Sequence, residues 1–261
     1  SLLMTKILRF FAGLAAALFI TFSAVQATAK VNIPAETLSY KVMFKWGLIN
    51  KKAGWARLEY TPGAVTSEAV LYAASEPWAD RLYALRDTLY STIRTSSMTP
   101  VYYERVANED GKYARDIIKF SHAGDKVNAT TKRYRRSKPG AALKQADNTL
   151  QAEGATVDML SAFYYIRSMP FARMQPGQQR IINIFSAKRK ERLTITFVGE
   201  EQVSIDSDDY NTYHVKFRFT TEGSKQSSDD IDTWLKTDAP HIPVKLEGKL
   251  KIGKIMCLLE R

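Results

Sequence analysis

The chain has 261 residues, with 38 Lys and Arg against 27 Asp and Glu, a net charge of +11, three His and one Cys. One thiol excludes an intramolecular disulfide, so the fold must rest on packing and strand pairing. The basic balance points to a polyanionic partner or a solvated surface, and the N-terminus narrows the choice.

Residues 1–29 read as an export signal. Lys6 and Arg9 give a basic start, Phe10 to Phe22 an apolar run broken by Gly13 and Thr21, and Ser23 to Ala29 a small-residue exit. That three-part pattern belongs to a cleaved secretory signal. Cleavage fits after Ala27 or after Ala29; the second is preferred and makes Lys30 the mature N-terminus. The apolar run, roughly 13 residues, is shorter than the ~20 a spanning helix needs. Cys257 is far from either cleavage site, so a lipid anchor is not expected, and no later stretch is apolar enough to span a bilayer. Residues 30–261 are then expected to form one β-rich periplasmic domain, with net charge +9 once Lys6 and Arg9 are removed from +11. Export argues against nucleic acid and leaves lipid headgroups, acidic glycans or an envelope protein as partners.

Along the mature chain, alternation of apolar and polar residues dominates. Leu38 to Trp46 is a half-buried strand with its even positions apolar, and the stretch from Gly47 to Gly54 reads as a turn before a strand from Trp55 to Tyr60. After Pro62-Gly63 a strand covers about Ser67 to Ser75. Pro77 opens a segment with Trp78, Leu82, Leu85 and Leu89 at helical spacing, which turns strand-like from Leu89. Strands are expected over Val101–Ala107, Ala114–His122 and Lys126–Tyr134, and residues 135–153 as a long exposed loop. The clearest helix spans about 156–168, with Thr156 as N-cap, Asp158 in its first turn and Pro170 beyond its end. Strands resume at Arg180–Phe185, Arg192–Val198, Tyr213–Thr220, Ile231–Leu235, Ile242–Leu250 and Lys254–Leu259. The fold class is therefore mainly β: a single antiparallel sheet rolled into a barrel or half-barrel, with one short helix.

Catalytic constellations are missing. His122, His214 and His241 have no metal-ligand spacing, and no nucleophile elbow, Walker loop or dinucleotide fingerprint occurs. No catalytic residue, metal or cofactor is expected. An enzyme would have to assemble Asp158, Ser161 or His214 in three dimensions. Asp206 to Asp209 and Asp229 to Asp232 lack calcium-loop spacing and read as solvated acids. Lys132 to Arg136 suits an acidic surface or a charged sheet edge. The candidate ligand-binding residues are aromatic, Trp46, Trp55, Trp78 and Tyr164, together with Arg167 on the helix. Trp55 stands on the opposite parity from Ala56, Leu58 and Tyr60. These could line the concave face of a curved sheet that holds an amphiphile, glycan or partner segment; an ordinary aromatic core is the alternative.

Several stretches resemble the bacterial envelope family called domain of unknown function 3108. They are Tyr40-Lys41-Val42 through Trp46-Gly47 to Ala53-Gly54, then Leu82-Tyr83-Ala84-Leu85-Arg86-Asp87, then Asp158 through Arg167, and Trp234 followed by Ile242 to Lys245. The resemblance runs from about residue 36 to 259. It implies an exported, mainly antiparallel β protein around one short helix, and brings no reaction and no catalytic residues. Gly54 within it reads as a turn residue needing an unusual backbone angle.

Overall fold

The computed structural model describes residues 32–221, 228–250 and 253–261; the expected signal, residues 1–29, lies outside them. Fifteen strands form one sheet in the order β8-β7-β6-β5-β4-β3-β2-β1-β15-β14-β13-β12-β11-β10-β9, antiparallel except where β9 meets β10. The strands are β1 Glu36–Trp46, β2 Ile49–Thr61, β3 Thr66–Ser75, β4 Leu85–Arg94, β5 Pro100–Glu109, β6 Lys112–Ala123, β7 Lys126–Arg136, β8 Lys144–Glu153, β9 Thr156–Val157, β10 Gln179–Phe185, β11 Lys190–Ile205, β12 Asp208–Thr221, β13 Ile231–Lys236, β14 Pro243–Lys249 and β15 Lys254–Glu260. The sheet is nearly a closed barrel. At the seam its edges meet through side chains: Thr131 Oγ1 donates to Ala187 O at 2.9 Å, and Asn183 Nδ2 to Glu153 O at 2.8 Å.

Alternation places Tyr40, Val42 and Phe44 of β1, Leu58 and Tyr60 of β2, and Leu193, Ile195 and Phe197 of β11 inside. Two helices complete the fold, α1 Pro77–Tyr83 and α2 Ser161–Arg167. The first packs Trp78 on a cluster of Val42, Phe44, Ala53 and Ile255 at one end of the barrel, with Trp78 Nε1 donating to Lys52 O at 2.7 Å. The second lies inside the barrel, six of its seven residues buried, so much of the interior is filled. The turns β1–β2, β5–β6 and β7–β8 share the α1 end. By strand direction, the turns β4–β5 and β6–β7 lie at the far end.

Four expectations need correction. The helix expected over about 156–168 starts at Ser161, because Thr156 and Val157 pair with Asn183 and Ile184 as β9. Residues 144–153 of the expected loop form β8, paired along its length with β7. Its first six residues are exposed and only Leu150 and Ala152 of the strand turn inward, too short an alternation to mark it in the sequence. β2 begins at Ile49, leaving Gly47-Leu48 as a two-residue turn with Gly47 at φ 54°. Gly54 is extended strand beside a β-bulge; glycine is needed there because a Cβ would lie 2.5 Å from Ala74 O.

Candidate functional site

The five predicted ligand residues do not converge. Trp46 is 53% exposed at the β1–β2 turn, and Trp55 points outward from β2 at 39% exposure. Trp78 covers the α1 end. Tyr164 and Arg167 are wholly buried on α2, with the Arg167 guanidinium 5.6 Å from the Tyr164 ring and Tyr164 stacked on Tyr60 at 4.7 Å. Arg167 donates to Glu36, at 3.1 Å through Nη2, and to Pro240 O at 3.1 Å. Its donors therefore fasten the helix to β1.

The catalytic alternative finds one pair and not the other. Asp158 Oδ1 accepts from the amides of Leu160 and Ser161 at 2.7 Å, and Ser161 Oγ accepts from the Asp158 amide at 2.9 Å. This reciprocal arrangement caps α2, and both residues are fully buried. Ser91 also donates to Asp158 at 2.6 Å, yet burial outweighs these bonds and pushes the carboxyl up to about 6. His214 faces outward from β12, stacked on Trp234 at 4.6 Å and paired with Asp232 at 2.6 Å and Glu201 at 3.0 Å. The acidic runs are also engaged in part: Asp206 meets Lys41 at 2.7 Å and Asp230 meets Arg218 at 2.7 Å. Among the described residues no cluster of His, Cys, Asp or Glu has the grouping of a metal site.

Two hollows remain. The first is a cavity of about 100 Å³ lined by Ala56, Leu71 and Ala73 together with Asp87, Arg105 and Asp116. It exists because small side chains occupy inward positions. Arg105 reaches Asp87 at 3.0 Å and also pairs with Glu109, while Asp87 Oδ1 is buried without a partner among the described residues. Burial raises the Asp87 carboxyl to about 7 despite Arg105. Burial likewise raises the Cys257 thiol at this cavity to about 12, which leaves it unreactive. A dry cavity of about 150 Å³ holds a single benzene, so about 100 Å³ is small for a lipid chain.

The second is a cleft of about 420 Å³ at the far end of the barrel, within the range of small-molecule sites. The β4–β5 turn, Thr95 to Thr99, forms one side; Gly154 to Thr156, Tyr165 and Ser168 form much of the other. A bulge at Thr92/Ile93 redirects the chain into this turn. Arg94 and Arg180 both line the cleft. Arg180 Nη1 donates to Tyr165 Oη at 3.2 Å, and neither guanidinium forms an ion pair among the described residues. His122 lines it too and donates from Nε2 to Pro100 O at 2.8 Å. Burial, assisted by the Arg94 charge and against that hydrogen bond, holds its pKa below the usual value, so the ring is neutral at neutral pH. Asp125 stands at the cleft without pairing to either arginine. The result is a hydroxyl-rich cleft with two guanidinium groups in no ion pair and one carboxylate, Asp125, a net positive lining suited to an oxyanion. Sequence reasoning missed Arg94 and Arg180 because they lie far apart in the chain and belong to no motif.

Fold and site together define a nearly closed antiparallel barrel plugged by a helix, with a polar cleft at one end. The chain belongs to the family described as Protein of unknown function (DUF3108), whose model matches residues 39–260. Its fold is similar to that of a β-barrel-like protein of domain of unknown function DUF1849 from Brucella abortus, at a TM-score of 0.59 and 13% identity, covering 88% of this chain and 98% of that one. A Bacteroides fragilis protein of YmcC-like fold, held to be exported, aligns over 90% of this chain and 99% of its own at 9% identity and a TM-score of 0.31, too slight to bear on this fold. No curated protein matches the sequence.

Proposed function

We propose that this chain is an exported, non-enzymatic binding protein of a Gram-negative envelope, and that its cleft takes an acidic glycan. In this reading residues 1–29 are a cleaved signal and residues 30–261 are one periplasmic domain. The observation that carries the ligand class is the pair of guanidinium groups, Arg94 and Arg180, facing a hydroxyl-lined cleft of about 420 Å³ without a carboxylate partner. Volume chooses among the ligands that the composition allows: the apolar interior is too small for an acyl chain, whereas the cleft has room for sugar rings. Asp158 and Ser161 are committed to the helix cap, which weakens a hydrolase reading. A role in pairing through a sheet edge gains little support, since the two edges face one another at the seam.

Calorimetric titration of the chain from Lys30 onwards with a uronate oligosaccharide, a phosphorylated sugar and inorganic phosphate tests this. Binding to the first alone assigns a carboxylate glycan, and binding to the second and third assigns a phosphate group. Replacing Arg94 by Ala should weaken binding by about tenfold or more, since a hydrogen bond to a charged group contributes ~1.5–3 kcal/mol. The Arg180→Ala variant should lose a similar amount. If no oxyanion binds, or the variants bind as well as the wild type, the reading is wrong.

A further inference from the structure

The end of the barrel opposite the cleft has a different surface. Leu48, at the tip of the β1–β2 turn, is fully exposed at 105%, flanked by Trp46 at 53% and Ile49 at 47%. The turn is tied down at its base. Trp46 pairs with Ile49 across it, and the carbonyl of Lys45 packs so closely on Gly253 that a Cβ there would lie 2.1 Å away. Helix α1 is fastened to the same hairpin through Trp78, and it exposes Leu82 at 59%. Scattered exposed apolar residues are ordinary; four on one projecting end are not.

Cations surround these apolar groups. Lys45 and Arg81 are exposed and have no carboxylate partner among the described residues, and the Lys51 ammonium lies over the Trp78 ring at 4.2 Å. Lys112, Lys138, Lys144 and Lys188 stand on or beside turns of the same end. The nearby acids are largely spent: Asp80 pairs with Arg86 at 2.8 Å, Glu76 approaches Lys52 at 4.0 Å, and Glu109 pairs with Arg105. Asp110 is left at the β5–β6 turn.

We infer that the α1 end docks on an anionic lipid surface, with Trp46, Leu48, Ile49 and Leu82 entering the interface and Lys45, Lys51 and Arg81 meeting the headgroups. Tryptophan favours this boundary because its ring is amphipathic, and clustered cations favour anionic leaflets. The charge complementarity selects a lipid surface over a neutral apolar partner. The barrel lies on the membrane and does not cross it: the outward residues Lys41, Arg57, Glu59, Glu104, Arg115, Lys216 and Arg218 break up any lipid-facing apolar band. The cleft would then face away from the bilayer. This inference does not depend on what the cleft binds.

Co-sedimentation of the chain from Lys30 onwards, which contains every strand and helix described, with vesicles tests it. The wild type should bind vesicles of phosphatidylethanolamine with phosphatidylglycerol, bind phosphatidylcholine vesicles poorly, and release as salt is raised. Tryptophan emission should shift to shorter wavelength on binding. Leu48→Ser with Ile49→Ser changes only exposed side chains, and should weaken binding at least tenfold with an unchanged melting temperature. Lys45→Glu with Lys51→Glu should weaken it comparably. Failure of the wild type to bind overturns the inference, as does undiminished binding of the serine variant. Self-association of the wild type that the serine variant abolishes also overturns it, by making the tip an interface between copies.

Discussion

Asp87 and Asp158 are carboxyls whose burial raises them to about 7 and about 6, against an ordinary 3.8. In each case the folded state holds its proton longer than the unfolded chain does. The corresponding stability is intact below the unfolded value and is lost as pH rises toward about 7. His122 acts in the opposite sense: its folded value is lowered from 6.5, so stability returns as pH rises through that region. The difference between variant and wild type isolates one term. Asp87→Asn should lose less stability than the wild type between about pH 5 and about pH 8 in urea unfolding; an equal loss would show that Asp87 does not titrate there. Asp158→Ala should cost about 2 kcal/mol or more near pH 4, and less as pH rises toward about 6, since it removes the α2 cap and strands the Ser91 hydroxyl but also removes the buried titrating group.

At the scale of elements, most strands are legible because one face of each is buried, and alternation follows directly from that. β8 is the informative exception. At the edge of the sheet, its residues Lys144 to Thr149 are exposed and only Leu150 and Ala152 of the strand are buried, and a strand with so short a buried face looks like a loop. The helix is shorter than its sequence pattern suggests, because Thr156 and Val157 are held by sheet pairing that no local signal announces. The candidate site was illegible for a related reason. The aromatic residues of α2 serve packing, and the arginines of the cleft come from β4 and β10. Two substitutions test how the elements are joined. Arg167→Ala leaves Glu36 without its partner and should destabilise by ~3–5 kcal/mol, the usual effect of breaking a buried pair. Gly54→Ala forces β2 away from Ala74 and should cost ~1–3 kcal/mol. Both are read from denaturant midpoints, and a change below half of either figure would contradict the packing described.

For the whole molecule, closure of one sheet around α2 has two consequences. It removes most of the interior as a ligand space, and it leaves the turns at the two ends as the surfaces free to differ. One end gathers hydroxyls with Arg94 and Arg180; the other gathers exposed Trp, Leu and Ile among lysines. No helix among the described residues is long and apolar enough to cross a membrane. The proposed oxyanion site is the far-end cleft. Amide chemical shifts, followed while the isotope-labelled chain from Lys30 onwards is titrated with a uronate oligosaccharide, test it most directly. Saturable changes should concentrate in Arg94 to Thr99, Gly154 to Thr156 and Ser168, and be lost when Arg94 and Arg180 are both replaced by Ala. Changes elsewhere on the barrel, or none at these residues, would contradict it.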